Sequence, residues 1–338
     1  MPLTMKDIAR ELGVSVVTVS KVLRNHEDIS DATRKRVLDK VKELNYRPNL
    51  AARGLVTGRS YLVGLIVPDL VHPFFAEVAK QIAKALVKKG YYLIISSSEE
   101  DARLEQRELD QMLGRGLDAI IIASCDEEAN FITRARDQSG PPFVLIDRNL
   151  PEVAVSFIGV DDVLVGRMAT EHLIAVGCEA IAHIRGPESS PGTGRLKGYR
   201  MALAKHGVQI PDGYVSGILS VDESSRQSGA VAMRELLGSK KRPDGIFCYN
   251  DPIAIGAIST VLEAGLRVPE DVAVIGCGNL HYDDVLQVPL SSIDQNTAEI
   301  GALAARTTIA VIESKQARKP KTHLVEPRLI ARASTQRR

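Results

Sequence analysis

Cysteine is scarce and scattered in this chain. Cys125, Cys178, Cys248 and Cys277 stand far apart, mostly inside apolar runs, so no metal-ligand or disulfide spacing forms and reduced core thiols are expected. Long apolar runs are missing too. Nothing approaches the roughly 18 apolar residues of a membrane span, and no N-terminal run has signal-peptide length, so a cytoplasmic protein with no membrane partner is expected. Catalytic signatures are also lacking. There is no Gly-rich phosphate loop, His-Glu metal pair or nucleophile elbow, and Gly186-Pro187 and Gly192-Thr193-Gly194 are too short for a dinucleotide fingerprint. Neither enzymatic activity nor a cofactor or metal is expected.

Overall charge is nearly absent, at +1, but its distribution is uneven. Residues 1–60 hold twelve Lys/Arg against seven Asp/Glu, leaving 31 against 35 for residues 61–338. A basic head on a mildly acidic body suits contact with phosphates by the head, although a solvated surface can also be basic. With 338 residues, 44% of them hydrophobic, the chain can bury a substantial core in two or three domains.

The head carries a helical pattern. Thr4 can cap a helix whose apolar positions Met5, Ile8, Ala9 and Leu12 recur at helical spacing, with Asp7 three residues after the cap. Gly13 can end that helix in a left-handed conformation, and Ser15 can cap a second helix with Val19, Val22 and Leu23 facing inward. The opposite face presents Val16, Val17, Thr18, Ser20 and Lys21, where a recognition helix would meet base edges. A third helix follows from Ser30. The pattern predicts a small all-α helix-turn-helix domain over residues 1–48, though an ordinary helical hairpin with solvated charges has the same periodicity.

Residues 49–60 form a joint. Pro48 stops the preceding helix, Asn49 can cap a short run through Leu55, and Thr57-Gly58 ends it. So short a helix is marginal alone, and one carrying an Arg and an exposed Leu suits folding against a minor groove; a plain flexible linker is the alternative. From residue 61 short apolar runs alternate with longer amphipathic ones. That alternation predicts an α/β core of two parallel sheets covered by helices on both faces, divided into lobes of about 61–160 with 293–321 and about 161–291 with 322–338. The cleft between the lobes, at the carboxyl ends of the strands, is a natural small-molecule site.

Together, the head motif, Tyr46-Arg-Pro-Asn-Leu-Ala-Ala-Arg-Gly-Leu55, Gly64-Leu-Ile-Val-Pro68, Asp147-Arg148, Asn250-Asp251-Pro-Ile-Ala-Ile-Gly256 and Val268-Pro-Glu-Asp-Val-Ala-Val-Ile-Gly276 resemble the LacI/GalR family of bacterial transcription regulators over essentially the whole chain. The resemblance implies a DNA-binding head, a hinge helix and a periplasmic-binding-protein-like core. It further implies a homodimer on a palindromic double-stranded DNA operator, most often a repressor, switched by a small molecule such as a sugar in the cleft. Matched position by position, it gives DNA contacts to Thr4, Ser15, Val16, Val17, Thr18, Ser20, Lys21, Ala52, Arg53 and the intercalating Leu55. Val16 and Val17 offer no hydrogen bond, which points to contacts with thymine methyls and more reliance on Lys21 and on DNA shape.

In the cleft the resemblance gives effector contacts to Phe74, Phe75, Asp147, Arg148, Asp161, Arg195, Asn250 and Asp251. Asp161 and Asp251 also read as helix caps and Phe75 as core. Two departures stand out. Gly54 weakens the hinge helix by about 1 kcal/mol relative to alanine, and Gly278 stands where family members commonly place a sugar-gripping aspartate. Asn279, His281 or Asp283 could supply replacement contacts, or could simply be loop polars.

Overall fold

The computed structural model describes residues 3–23, 26–46, 54, 58–126, 130–138, 140–217, 224–314, 316 and 319–337. The described residues divide into two units, Met1–Ser60 and Tyr61–Arg338.

In the first unit, α1 (Met5–Leu12), α2 (Val16–Leu23) and α3 (Asp31–Glu43) enclose a small core of Ile8, Ala9, Val19, Val22, Val37 and Tyr46. Local chemistry sets each boundary. The Asp7 carboxylate accepts from the Thr4 amide and hydroxyl at 3.0 and 2.7 Å, fixing the start of α1. Gly13, at φ 62°, ends it, and Val14 N–H returns to the Ala9 carbonyl. Ser15 Oγ accepts from Thr18 N–H at 3.0 Å and caps α2, while Ser30 does the same for α3 through Thr33 N–H. Arg36 on α3 donates to the Leu12 carbonyl, tying the third helix to the end of the first.

In the second unit the elements run β1 (Leu62–Val67), α4 (Pro73–Val87), β2 (Tyr92–Ser97), α5 (Ala102–Gly114), β3 (Ala119–Ile122), α6 (Asn130–Asp137), β4 (Phe143–Ile146) and β5 (Ser156–Val160). They continue as α7 (Asp162–Ala175), β6 (Ile181–Arg185), α8 (Ser190–Lys205), β7 (Val215–Gly217), α9 (Ser225–Leu237), β8 (Gly245–Cys248), α10 (Asp251–Glu263), β9 (Ala273–Cys277) and β10 (Ser291–Asp294). The chain then forms α11 (Thr297–Ile312), β11 (Thr322–Val325), β12 (Arg328–Ile330) and a 3-10 turn at Ala333–Thr335.

Two sheets result, ordered β11-β5-β4-β3-β1-β2 and β12-β10-β9-β8-β6-β7. Among the described residues every pairing is parallel except β10 with β12. Central strands such as Ala119–Ile122 are buried throughout, because helices cover both faces of a parallel sheet.

The expected lobe boundary at residue 322 is displaced. Thr322–Val325 pairs with Phe157–Val160 as the edge of the first sheet, and only β12, two residues later, joins the second. The other expected boundary, at residues 291–293, falls inside β10, a strand of the second sheet. An apolar run shows that a strand forms; which sheet it completes depends on which edge is open. The lobes are thus joined at three short crossings, after Val160, after Asp294 and after Val325.

Candidate nucleic-acid interface and ligand cleft

On α2, Val19 and Val22 are buried, while Val16 and Val17 on the other face are 37% and 61% exposed. Two side chains without hydrogen-bonding groups thus stand on the open face at the start of a capped helix. Thr18 Oγ1 lies 2.9 Å from Ser15 Oγ, so both hydroxyls sit at the mouth of the helix. Thr4 is exposed and Ser20 half-buried. The Lys21 ammonium forms an ion pair with Asp28, on the turn before α3. Ala52, Arg53 and Leu55 lie outside the described residues.

The cleft opens between the carboxyl ends of the two sheets. His72, Phe74, Phe75, Asp147 and Arg148 line it from the first lobe, and Arg195, Tyr249, Asn250, Cys277 and Gln295 from the second. Phe74 and Phe75, in the first turn of α4, meet edge to face with centroids 5.1 Å apart. Asp147 follows β4 at φ 59°, and the Arg148 amide closes a three-residue turn onto the Ile146 carbonyl at 2.6 Å. Aspartate tolerates that left-handed conformation better than most residues, and the turn sets Asp147 and Arg148 at the mouth of the cleft.

Both arginines are already paired. Arg148 donates to the two oxygens of Glu100 at 2.9 and 2.5 Å. Arg195 donates through Nε to Asp162 at 2.9 Å and through Nη1 to the Tyr249 carbonyl at 2.7 Å, with its guanidinium 4.5 Å from the centre of the Tyr249 ring. Burial pushes Asp162 up to about 6 although Arg195 opposes it. Asp147 is also raised, by burial first. Burial and the two arginines hold His72 down at about 4, so its ring is neutral.

The closed lobes touch across the cleft. Asn250 Nδ2 donates to His72 Nε2 at 3.1 Å, and the Asn149 amide donates to Ser190 Oγ at 2.8 Å. The cavity left between the lobes is small, about 30 Å³.

Two sequence candidates do not line the cleft. Asp161 is exposed and caps α7 through Leu164 N–H; its neighbour Asp162 holds Arg195. Asp251 is fully buried behind the strand ends, where its carboxylate accepts from Ser292 Oγ at 2.7 Å and from Leu280 N–H at 3.3 Å. Asp283 lies beside it, and burial together with the Asp251 charge keeps Asp283 protonated up to about 9. The glycines at 276 and 278 lie close against the Asp251 carboxylate. A Cβ on Gly276 would lie 2.1 Å from one Asp251 oxygen and a Cβ on Gly278 2.7 Å from the other. None of the replacement candidates lines the cleft, since Asn279 accepts from Arg332 at 2.6 Å, His281 is exposed and Asp283 is buried.

His72, Tyr249 and Gln295 carry no motif in sequence. Their one common signal is position, since each lies within a few residues of the carboxyl end of a strand or at a helix start beside it. The expectation of core thiols holds at Cys277, which is buried in the core and also lines the cleft, with burial pushing it up to about 12 so that it stays protonated. Cys178 and Cys248 are buried and Cys125 is half-buried.

Residues 4–49 match the bacterial regulatory proteins of the lacI family, and residues 170–335 match the periplasmic binding protein-like domain. The chain is 33% identical over 305 residues to the ribose operon repressor of Escherichia coli K12, covering 89% of this chain and 90% of that one. It is 31% identical to the HTH-type transcriptional regulator DegA of Bacillus subtilis 168, covering 99% and 98%. Among solved structures it resembles a transcriptional regulator CelR–cellobiose complex (TM-score 0.75, 29% identity, 98% and 99% covered). A lac repressor dimer bound to operator and the anti-inducer ONPF shares the fold (TM-score 0.85, 24% identity, 99% of each chain). The capped α2 with its exposed reading face, the two-lobed core and these likenesses agree: the chain belongs to the lacI family of bacterial regulatory proteins.

Proposed function

We propose that this ligand-responsive, DNA-binding transcription regulator is a repressor that binds a palindromic operator as a homodimer and is released or retained by a neutral small molecule in the cleft. Val16, Val17, Thr18, Ser20 and Lys21 read the major groove, Thr4 and Ser15 hold phosphates, and Ala52, Arg53 and Leu55 engage the minor groove. The chain acts by binding and carries no catalytic step or cofactor.

The observation that carries the effector reading is the cleft itself. Arg148 and Arg195 are each neutralised by a carboxylate, while the Asp147 carboxylate has no hydrogen-bond partner among the described residues. Such a site favours a ligand rich in hydroxyl donors over an anion. The relatives, a ribose operon repressor and a CelR–cellobiose complex, agree with a sugar or related metabolite. An entering ligand must replace the Asn250–His72 bond that spans the lobes. Its different affinity for open and closed lobes then moves Tyr61, where the chain enters the core, and so shifts the balance between DNA-bound and free states.

A thermal-shift screen of the full chain against sugars, sugar phosphates, sugar acids and nucleobases tests this reading, because a cleft ligand raises the melting temperature by mass action. Neutral sugars are expected as hits. Stabilisation by sugar phosphates alone would overturn the effector class.

A further inference from the structure

One end of the first lobe carries several exposed cations, beside the acids Asp118, Asp137 and Glu313. All six strands of its sheet run the same way, so their starts share one end, and α4, α5 and α11 all run back toward it. That end collects Lys88 and Lys89 after α4, Arg115 after α5, Arg306 on α11, and Lys319 and Lys321 before β11, all exposed. Among the described residues Lys88, Lys89, Lys319 and Lys321 form no ion pair. Arg306, Lys319, Lys321 and His323 border an open groove of about 460 Å³ with hydroxyls of Ser156 and Thr307 beside them.

The helix dipole accounts for cations at the ends of α4 and α5. It does not account for Lys319 and Lys321, which lead into a strand. Nor does general composition, since residues 61–338 carry more acids than bases. The chain also enters the lobe at this end: the Tyr61 amide donates to Asp118 at 3.0 Å and the Tyr92 amide to the Tyr61 carbonyl. The covalent link that leads to the head therefore leaves the core at its basic end.

We infer that this end of the first lobe is a second, sequence-independent DNA-contact surface, taking the phosphate backbone that flanks the site read by the head. It rests on the DNA-binding reading above. Unpaired lysines displayed along one end suit phosphates, which ask for charge and reach but no fixed pairing geometry. Each lysine that replaces condensed counterions adds to the salt dependence of binding and nothing to base preference.

The test uses the full chain and the duplex that the wild-type protein enriches from a random-sequence pool, held within long flanking DNA. Affinity is measured against salt for wild type, for Lys88→Gln/Lys89→Gln/Lys319→Gln/Lys321→Gln, and for a second-lobe control, Lys240→Gln/Lys241→Gln. Equal melting temperatures establish that the variants are folded. The quadruple variant is expected to flatten the slope of log K against log salt by about 0.9 for each phosphate it no longer neutralises, with unchanged preference for the enriched duplex over mixed sequence. Trimming the flanks should abolish the difference between it and wild type. A slope matching that of the control overturns the inference while leaving the DNA-binding reading intact. Failure of the wild-type protein to enrich any duplex defeats that reading and the inference with it.

Discussion

Replacing Arg195 with alanine removes the partner of a buried carboxylate, since Asp162 then faces the protein interior alone. Breaking such a pair costs about 3–5 kcal/mol, so loss of effector binding in Arg195→Ala would not separate a contact from a collapse. Asp147 is the cleaner probe. It lacks a hydrogen-bond partner among the described residues and burial already raises it, so Asp147→Asn should leave the urea midpoint of the free protein unchanged or slightly higher while abolishing the thermal shift given by the effector. A retained shift would remove Asp147 from the site. Val17, 61% exposed, is the corresponding probe in the head. Val17→Gln should change which operator variants bind best without changing stability; equal preference across a panel of symmetric variants would count against base reading by this position.

The buried Asp251–Asp283 pair gives a pH dependence whose sign is fixed. Asp283 holds its proton up to about 9 in the folded protein, against about 4 in an unfolded chain. Between those values the folded state binds the extra proton, so this pair makes stability fall as pH rises. Asp283→Asn can still donate to Asp251 and accept from Leu280 N–H, and it does not titrate. The decline in urea midpoint above about pH 6 should therefore be shallower in the variant than in wild type; parallel curves would show that Asp283 is ionised in the native protein. The sequence exposes these residues unevenly. Phe74, Phe75, Asp147, Arg148, Arg195 and Asn250 are legible through the family resemblance, although only Asp147, Arg148 and Asn250 closely follow strands. The tandem Asp161-Asp162 is not, because which carboxylate caps the helix and which reaches Arg195 depends on a one-residue choice of helix start.

At the scale of elements, the second lobe is held by helix pairs that touch backbone to backbone. A Cβ on Gly166 of α7 would lie 2.1 Å from the Arg195 carbonyl oxygen of α8, and one on Gly256 of α10 would lie 1.9 Å from the Arg226 carbonyl of α9. Gly166→Ala should then force α7 and α8 apart at a cost of about 1–3 kcal/mol, shifting Arg195 with its helix. Gly114→Ala, at the end of α5 with nothing within 4 Å of its Cβ, should be neutral or mildly stabilising in the same urea titration. Equal effects would refute the close-packing account. Element type is largely readable from periodicity. The short β7 and β12 are not, since three half-exposed residues carry too little apolar pattern to register.

At the scale of the whole molecule, β2 forms one edge of the first sheet, with Tyr92 56% and Ile95 41% exposed and Val87 beside them at 58%. An apolar open edge of this kind is a liability unless another chain covers it. A dimer is the expected state. Sedimentation should give the mass of two chains; four would contradict it, and one would leave the edge unexplained.

The three crossings between the lobes have a further consequence, for how such a protein can be rearranged. Neither lobe is a continuous stretch of gene. The first needs residues 61–160, α11 and β11, and the second needs everything between as well as β12. A truncation before β11 strips an edge from both sheets at once, and a recombination point inside the core mixes two halves that must fit each other. The head, by contrast, is one uninterrupted segment ending at Ser60. The natural seam for exchange lies there, so a new operator can be acquired by swapping a single short gene segment, whereas a new effector must be reached by substitution within an indivisible body.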